Sequence, residues 1–278
     1  MNKLNEFAFP PTSLISNKNP RKDRQGSWLD DVKDAARKEP WGENDSILIA
    51  YIKTNFEIAK SQNKVYEGDA FAIWRVGTLV TELGDPIWLK YTPNSRKAAD
   101  SKAQPWYYDS IKIGHEPELG ILSEKYSVRY EPEEFNVHWD IHIEPRTIEH
   151  ILTHNGDRLS SVFNNANENT PHRIFRVVYG EVMLQKRHEA EVLPQWYNED
   201  YGFLMPLRLT SPEKVDLVAA LSIERVMKRY KLHTLLPVSY AYAAARSVAK
   251  SRVQFTSWLA DEDLEKAEFD DDVINPSN

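Results

Sequence analysis

The sequence predicts an α+β protein in which N-terminal helices and an antiparallel sheet pack against a mainly helical C-terminal half. Three observations lead to this prediction. Apolar residues recur at helical spacing through residues 28–62, alternate with polar residues in stretches of residues 65–143, and return to helical spacing after Pro145. With 278 residues the chain is long enough for a buried core. A sheet followed by packed helices is the arrangement of the α+β class.

The first half begins with helices and continues with strands. Residues 1–25 show no periodicity, which predicts an irregular arm. Ser27 is a good N-cap for a helix over residues 28–37, and Ser46 begins a second helix that runs to residue 62. The strands predicted from alternating residues are 70–81, 86–91, 106–114 and 135–143.

The second half contains helix caps, which is why we predict it to be mainly helical. Asn155-Gly156 is a C-cap pair, and Ser211 is followed by proline at the first position of a helix. We expect a single domain over residues 26–260, with a sub-boundary near residues 115–134. The predicted helices are 146–154, 171–190, 211–230 and 239–250, with short strands at 201–209 and 233–238.

The net charge of −7 comes from the C-terminus. Residues 261–278 contain eight acidic residues and one basic residue, so residues 1–260 are neutral overall. We interpret residues 261–278 as an acidic tail in solvent; the alternative is that the tail covers a basic site. A neutral body with an acidic tail does not exclude a nucleic-acid partner.

Several function classes are excluded by what the sequence lacks. Without cysteine there is no disulfide framework, thiol nucleophile or thiolate metal site. No run reaches the roughly 18 apolar residues of a membrane span, so we predict a cytoplasmic protein with no membrane partner. Nucleophile-elbow, Walker and dinucleotide-binding motifs are missing, and the ten glycines leave little for a backbone phosphate cradle. Anion binding must therefore use side chains.

Two groups of histidines have a spacing that suggests metal ligands. His138, Asp140 and His142 alternate on a predicted strand, which places the two histidines about 13 Å apart, too far to share one ion. His150 and His154 are one helical turn apart, but isoleucine stands where the zinc-peptidase motif needs glutamate. We therefore predict no metal site and no cofactor.

A stripe of arginines on the predicted helix 171–190 is the best candidate anion site. Arg173, Arg176 and Arg187 fall within about 60° of one another at 100° per residue, with Gly180 inside the stripe and Lys186 beside it. Arginine binds phosphate oxygens in a bidentate manner. The alternative is a solvated helix face whose arginines pair with glutamates of the same helix.

Two further groups have a structural and a functional interpretation. Arg246 interrupts the small, apolar run 241–245, so it needs either a protein carboxylate or a ligand anion as its partner. Trp196 and Tyr197 are consecutive, so on a strand their rings would point to opposite faces, where one could stack on a base. Core or interface packing is the alternative for both rings.

Short motifs occur in a recognisable order over residues 40–260. They are Gly77-Thr78-Leu79-Val80-Thr81, His150-Ile151-Leu152, Asn155, Arg158, Lys186-Arg187, Pro194-Gln195-Trp196-Tyr197, Leu204-Met205-Pro206-Leu207 and Ala245-Arg246. In this order the chain resembles domain-of-unknown-function family 3825, a bacterial and fungal domain. The resemblance implies a context beside LOTUS-type RNA-binding modules.

The first functional hypothesis is a domain that recognises single-stranded RNA or a nucleotide. The residues that match the family pattern are those that such a ligand needs. Phosphate would be held by Arg158, Lys186, Arg187 and Arg246, a base or ribose read by Asn155 and Gln195, and a base stacked on Trp196 or Tyr197.

The second hypothesis is a metal-independent enzyme that processes RNA or a nucleotide. His150 would act as the general acid or base, because the pKa of an unperturbed histidine suits proton transfer near neutral pH. Lys186 or Arg187 would stabilise charge that develops on phosphorus. The third hypothesis is a non-catalytic interaction scaffold in which these polar residues form a buried network.

Overall fold

The computed structural model describes residues 3–9, 28–98, 103–118, 120–154, 171–187 and 191–248. The chain divides into two compact units, of which the first comprises residues 1–40 and 48–129 and the second residues 41–47 and 130–278. The cut after residue 129 falls within the predicted sub-boundary. The acidic tail and residues 10–25 of the predicted arm lie outside the described residues. Residues 3–9 form a short helix and a strand, so the prediction of an irregular arm is wrong there.

The first unit combines helices with a five-stranded sheet. Its elements are α1 (Lys3–Phe7), β1 (Ala8–Phe9), α2 (Trp28–Ala35), α3 (Ser46–Ser61), β2 (Val65–Glu67), β3 (Ala72–Val80), β4 (Pro86–Pro93), β5 (Trp106–Ile113) and α4 (Ser123–Tyr126). The strand order is β1-β5-β4-β3-β2, with β1 parallel to β5 and the other neighbours antiparallel. The helices predicted at 28–37 and 46–62 and the strands predicted before residue 114 are confirmed.

Gly77 shows how closely α3 approaches this sheet. It has a φ of 53°, which residues with side chains rarely adopt, and it lies where the register of β3 against β4 shifts. A Cβ atom here would lie 2.3 Å from Oδ1 of Asn55 and 2.4 Å from the hydroxyl of Tyr51. That hydroxyl accepts a hydrogen bond from the backbone N–H of Thr78 at 2.7 Å. Only glycine therefore fits at this contact.

The second unit also contains a five-stranded sheet, so the prediction of a mainly helical C-terminal half is wrong. Its elements are β6 (Asp140–His142), α5 (Pro145–His154), α6 (Pro171–Gln185), β7 (Leu193–Tyr197), β8 (Asp200–Leu207), β9 (Leu217–Glu224), β10 (Arg229–Leu236) and α7 (Val238–Val248). The strand order is β6-β10-β9-β8-β7, with β6 parallel to β10 and the rest antiparallel.

The largest error is the helix predicted over residues 211–230, which is replaced by β9 and the beginning of β10. The apolar run 217–221 is buried from end to end, and periodicity alone cannot separate such a strand from a buried helix. Ser211 forms an isolated bridge with Lys214, so the Ser-Pro-Glu sequence makes a turn and caps no helix. Lys228 takes a left-handed conformation that ends the turn before β10.

Two smaller differences concern strands at the edges of the second sheet. The strand predicted over 135–143 is limited to β6, because the backbone N–H of Trp139 donates to the carbonyl of Asn136 at 3.1 Å and closes a turn. The sequence predicts no strand at β7. Pro194 lies within it, and proline is tolerated there because β7 is an edge strand.

The two faces of the second sheet differ in what covers them. On one face, which we call the core face, Val178 and Val182 of α6 and Ile151 of α5 pack against Phe203 and Leu221. Successive strand residues alternate between faces, so the neighbours of these strand residues point to the other face, which we call the reverse face. Among the described residues, no helix is long and apolar enough to cross a membrane.

Candidate functional site

The second unit contains a groove of about 490 Å³ between the end of α6 and the loop before β6. Among the described residues, its lining consists of two apolar and two basic side chains, from Val137, Met183, Lys186 and Arg187. We call it the basic groove. Both of its basic residues are among the site residues predicted from the sequence.

The buried side of α6 sets the positions of the two cations. Val178 and Val182 are fully buried in the core of the second unit. The backbone N–H of Lys186 donates to the carbonyl of Val182 at 3.0 Å, and that of Arg187 donates to Leu184 at 3.2 Å, which continues the helical turn past the end of α6. Lys186 follows Val182 by one helical turn, so burial of the valine side chain determines the direction in which the lysine side chain leaves the helix.

The loop that carries Val137 is held by Tyr230 of β10. The ring of Phe135 stacks on the ring of Tyr230 with centroids 4.7 Å apart, and the ring of Trp139 lies 5.5 Å away. The backbone N–H of Asn136 donates to the Tyr230 hydroxyl at 2.7 Å. Burial raises the pKa of Tyr230, so the phenol stays protonated and this side of the groove is held in place at neutral pH.

Among the described residues, Lys186 has one long contact with a carboxylate. The Lys186 side chain is 17% exposed, and its Nζ is 3.9 Å from Oδ1 of Asp140. The Asp140 side chain is 96% exposed, so water screens this long contact. Glu181 of the same helix accepts hydrogen bonds from Nε2 of Gln185 at 2.8 Å and from the backbone N–H of Arg208 at 3.0 Å. Within the described part of the chain, the positive charge of Lys186 is therefore weakly compensated.

Among the other site residues predicted in this part of the sequence, those whose side chains the structure describes do not line the groove. Arg176 is exposed on α6, and the backbone of Arg173 lies in the first turn of that helix, with its side chain outside the described residues. Asn155 and Arg158 lie outside the described residues altogether. His150 is exposed on α5 and does not line the groove.

The predicted ligands on β7 point to both faces of the sheet. Gln195 is buried on the reverse face and donates from Nε2 to the carbonyl of Phe203 at 3.3 Å. Trp196 points to the core face, where its ring lies edge-on to that of Tyr201 with centroids 5.1 Å apart. Tyr197 points to the reverse face again. The two rings therefore cannot stack on the same base, and neither lines the basic groove.

Arg246 is buried in α7. Its guanidinium carbon lies 6.0 Å from the centroid of the Trp41 ring, at the limit of cation–π distance. Arg246 does not line the basic groove either, so the structure brings together Lys186 and Arg187 and leaves the third predicted phosphate ligand elsewhere.

Sequence reasoning missed the two apolar residues of the groove. Met183 precedes Lys186 by three residues on a helix, a spacing that places both on neighbouring surface positions, and this signal could have found it. Val137 has no such signal, because its position depends on a loop that is held by contacts with a distant strand. Across the described ranges no group of three acidic or histidine side chains is arranged to hold a metal ion.

One comparison with known proteins gives a match. A family model described as "Domain of unknown function (DUF3825)" matches residues 32–255, a range that begins within α2 and includes every later element through α7. No curated protein and no solved structure matches the chain.

Proposed function

The chain belongs to the domain-of-unknown-function family DUF3825, and we propose that this member recognises single-stranded RNA or a nucleotide by binding phosphate in the basic groove. Lys186 and Arg187 hold the phosphate oxygens. Val137 and Met183 contact the ribose or base beside it. The RNA-associated context that the resemblance implies agrees with such a ligand. The predicted location of the protein remains the cytoplasm.

The weakly compensated charge of Lys186 is the observation that carries this proposal. An ammonium group that is mostly shielded from solvent is costly unless an anion approaches it. Its contact with Asp140 is long and involves a carboxylate that is almost fully exposed. A phosphate in the groove would replace this contact with a closer, better desolvated one.

The chemistry of the other groove residues suits the same ligand. An arginine fork binds two phosphate oxygens at once, while a lysine supplies a compact charge. Both follow the C-terminal end of α6, whose dipole carries only about half a negative charge, so two cations exceed it. A volume of about 490 Å³ is within the roughly 300–1,000 Å³ range of small-ligand sites. The thioether of Met183 can contact either a base or a sugar.

The test is RNA affinity as a function of salt for the full chain and three variants. We expect Arg187→Ala and Lys186→Ala each to weaken binding of a mixed-sequence, fluorescently labelled single-stranded RNA by about 5- to 10-fold. Each should also reduce the slope of log affinity against log salt by about 0.7, because one phosphate contact is lost. Fluorescence anisotropy in 50–200 mM salt measures both quantities.

Lys214→Ala is the matched control, since Lys214 is an exposed lysine of the same unit that does not line the groove. Its affinity and slope should equal those of the wild type. If the two groove variants behave like this control, the phosphate-binding proposal is wrong. Competition with single-stranded DNA and with free nucleotides then identifies which phosphate ligand the groove prefers.

The enzyme alternative makes a separate prediction for His150. On that alternative, RNA incubated with the protein in EDTA is cut, and His150→Ala abolishes the cutting while RNA affinity remains. Mass spectrometry of the incubated RNA measures this directly. The position of His150, exposed on α5 and away from the groove lining, gives it no geometric support, so recognition is the function that we propose.

A further inference from the structure

The reverse face of the second sheet carries a row of polar residues that phosphate binding does not use. The strand register places Gln195, Gly202, Ser222, Lys231 and His142 side by side across β7, β8, β9, β10 and β6. Paired residues of neighbouring strands point to the same face. We call this set the polar row.

His233 lies beside the polar row, at a bulge in β10. The register of β10 against β9 shifts between Leu232 and Thr234, which leaves His233 as the extra residue. A bulge redirects the side chain of its extra residue. Here Nε2 of His233 lies 2.8 Å from Oγ of Ser222, within hydrogen-bond distance.

The surroundings of His233 favour the neutral imidazole. Burial lowers its pKa, the charge of Lys231 lowers it further, and Glu224 and Glu144 oppose this shift. Lys231 is held by Glu144, with Nζ and Oε1 2.8 Å apart. The ring of Tyr197 lies 5.3 Å from the imidazole, between centroids. At neutral pH a neutral imidazole with its proton on Nδ1 can accept the hydroxyl proton of Ser222.

The space around Ser222 is compatible with attack on a small substrate. Ser222 and His233 are both partly exposed. Gly202, the direct neighbour of Ser222 on β8, has no side chain to cover the hydroxyl, and a Cβ there would lie 2.3 Å from the carbonyl oxygen of Leu221. Lys231 is the direct neighbour of Ser222 on β10.

We propose that Ser222 is a nucleophile with His233 as its base, and that this pair accepts an acyl group from a carboxylic ester. Oγ of Ser222 forms a bond to the carbonyl carbon while its proton passes to Nε2 of His233. The bond from that carbon to the leaving oxygen then breaks, and the imidazolium returns the proton to the leaving alcohol. Water repeats the sequence, and a carboxylic acid leaves.

The lack of an orienting carboxylate beside His233 among the described residues determines which experiment is suitable. Within the part of the chain that the structure describes, the closest carboxylates act on His233 through charge alone, and no contact of its Nδ1 with a carboxylate is present. A base without such an orienting group gives slow turnover. Covalent labelling is therefore a better readout than steady-state hydrolysis, because it needs a single event per molecule.

The test is labelling of the full chain with diisopropyl fluorophosphate, followed by intact mass and peptide mapping. In this reaction Oγ of Ser222 bonds to phosphorus, fluoride leaves, and the hydroxyl proton passes to His233. We expect one adduct, on Ser222, and a labelling rate at least about 100-fold lower in His233→Ala, the usual contribution of a general base. His142→Ala is the matched control, since this histidine is in the same row but two strands from Ser222, and its labelling rate should be unchanged.

Each other outcome overturns the proposal. An unlabelled Ser222 in the folded wild type excludes an activated serine, and equal labelling rates of the wild type and His233→Ala exclude the histidine as its base. The labelling rate should also rise with pH and reach its plateau below the ordinary histidine pKa near 6.5. None of these readings depends on the basic groove, so this proposal and RNA recognition succeed or fail separately.

Discussion

Leu221 and Ser222 are neighbouring residues of β9 that point to opposite faces of the second sheet, and their side chains have opposite character. Leu221 of β9 is buried in the hydrophobic core under α5 and α6, and the next residue, Ser222, bonds to His233 on the reverse face. The comparison teaches that alternation lets one strand supply stability on one side and reactive polar groups on the other. Substitutions of adjacent residues should therefore have different kinds of effect.

The largest effect on stability is expected from Leu221→Ala on the core face. Removing a buried leucine side chain should lower the free energy of unfolding by about 2–5 kcal/mol. The partly exposed Ser222→Ala should change it by less than about 1 kcal/mol. Urea denaturation measures both, and Val226→Ala, at a position that is 99% exposed, is the control. Equal losses at residues 221 and 222 would contradict the difference between the faces.

Gly202→Ala should have the next largest effect. A methyl group at this position would lie 2.3 Å from a backbone oxygen that cannot move without breaking the ladder, so we expect a loss of about 1–3 kcal/mol. Gly180→Ala is the matched control. Gly180 is a helical glycine on α6 with open space around it, and alanine there should stabilise the protein by roughly 0.5–1 kcal/mol. Thermal denaturation distinguishes the opposite signs.

RNA binding by the basic groove and labelling of Ser222 should respond to different substitutions. Arg187→Ala should weaken RNA binding about 5- to 10-fold and leave labelling of Ser222 unchanged. His233→Ala should slow the labelling and leave RNA affinity unchanged. RNA affinity and the labelling rate of Ser222 should both be measured for each of the two variants. A variant that changes both readouts would show that the basic groove and the polar row are coupled.

The smallest expected effect is the pH dependence that His233 gives to stability. Its pKa is lower in the folded state than in the unfolded chain, so the unfolded state binds more protons between the two values. The contribution of His233 to stability is therefore complete above the ordinary pKa near 6.5 and falls as the pH drops through it. Stability relative to His233→Gln, measured from pH 7.5 to 5, should fall; a constant or rising difference would contradict the burial of this imidazole.

Strands β3, β4 and β5 of the first sheet and the cations of the groove could be predicted because local patterns determine them. Residues 70–91 alternate, and their strands pair through a short turn at Gly84, so nearest neighbours in sequence are neighbours in the sheet. Lys186 and Arg187 follow a helix whose period is visible in its buried valines.

The rest depended on information that no local pattern contains. The strand β9 is buried on both faces, so its apolar run has the composition of a helix core as much as of a strand. His233 is the extra residue of a bulge in β10. A single inserted residue is not visible in the alternation of apolar and polar residues over a strand of eight residues. The sequence therefore directed attention to the exposed His150 and gave no signal for the pair of Ser222 with His233.

The parallel pairing of β1 with β5 has a consequence for how the protein is made. Ala8 pairs with Trp106 and Phe9 with Tyr107. A ribosome that adds about 5–20 residues per second needs roughly 5–20 s to synthesise the chain between them. The first strand of this sheet to leave the ribosome thus waits for the partner that is made last, and the sheet can close only after translation has passed β5.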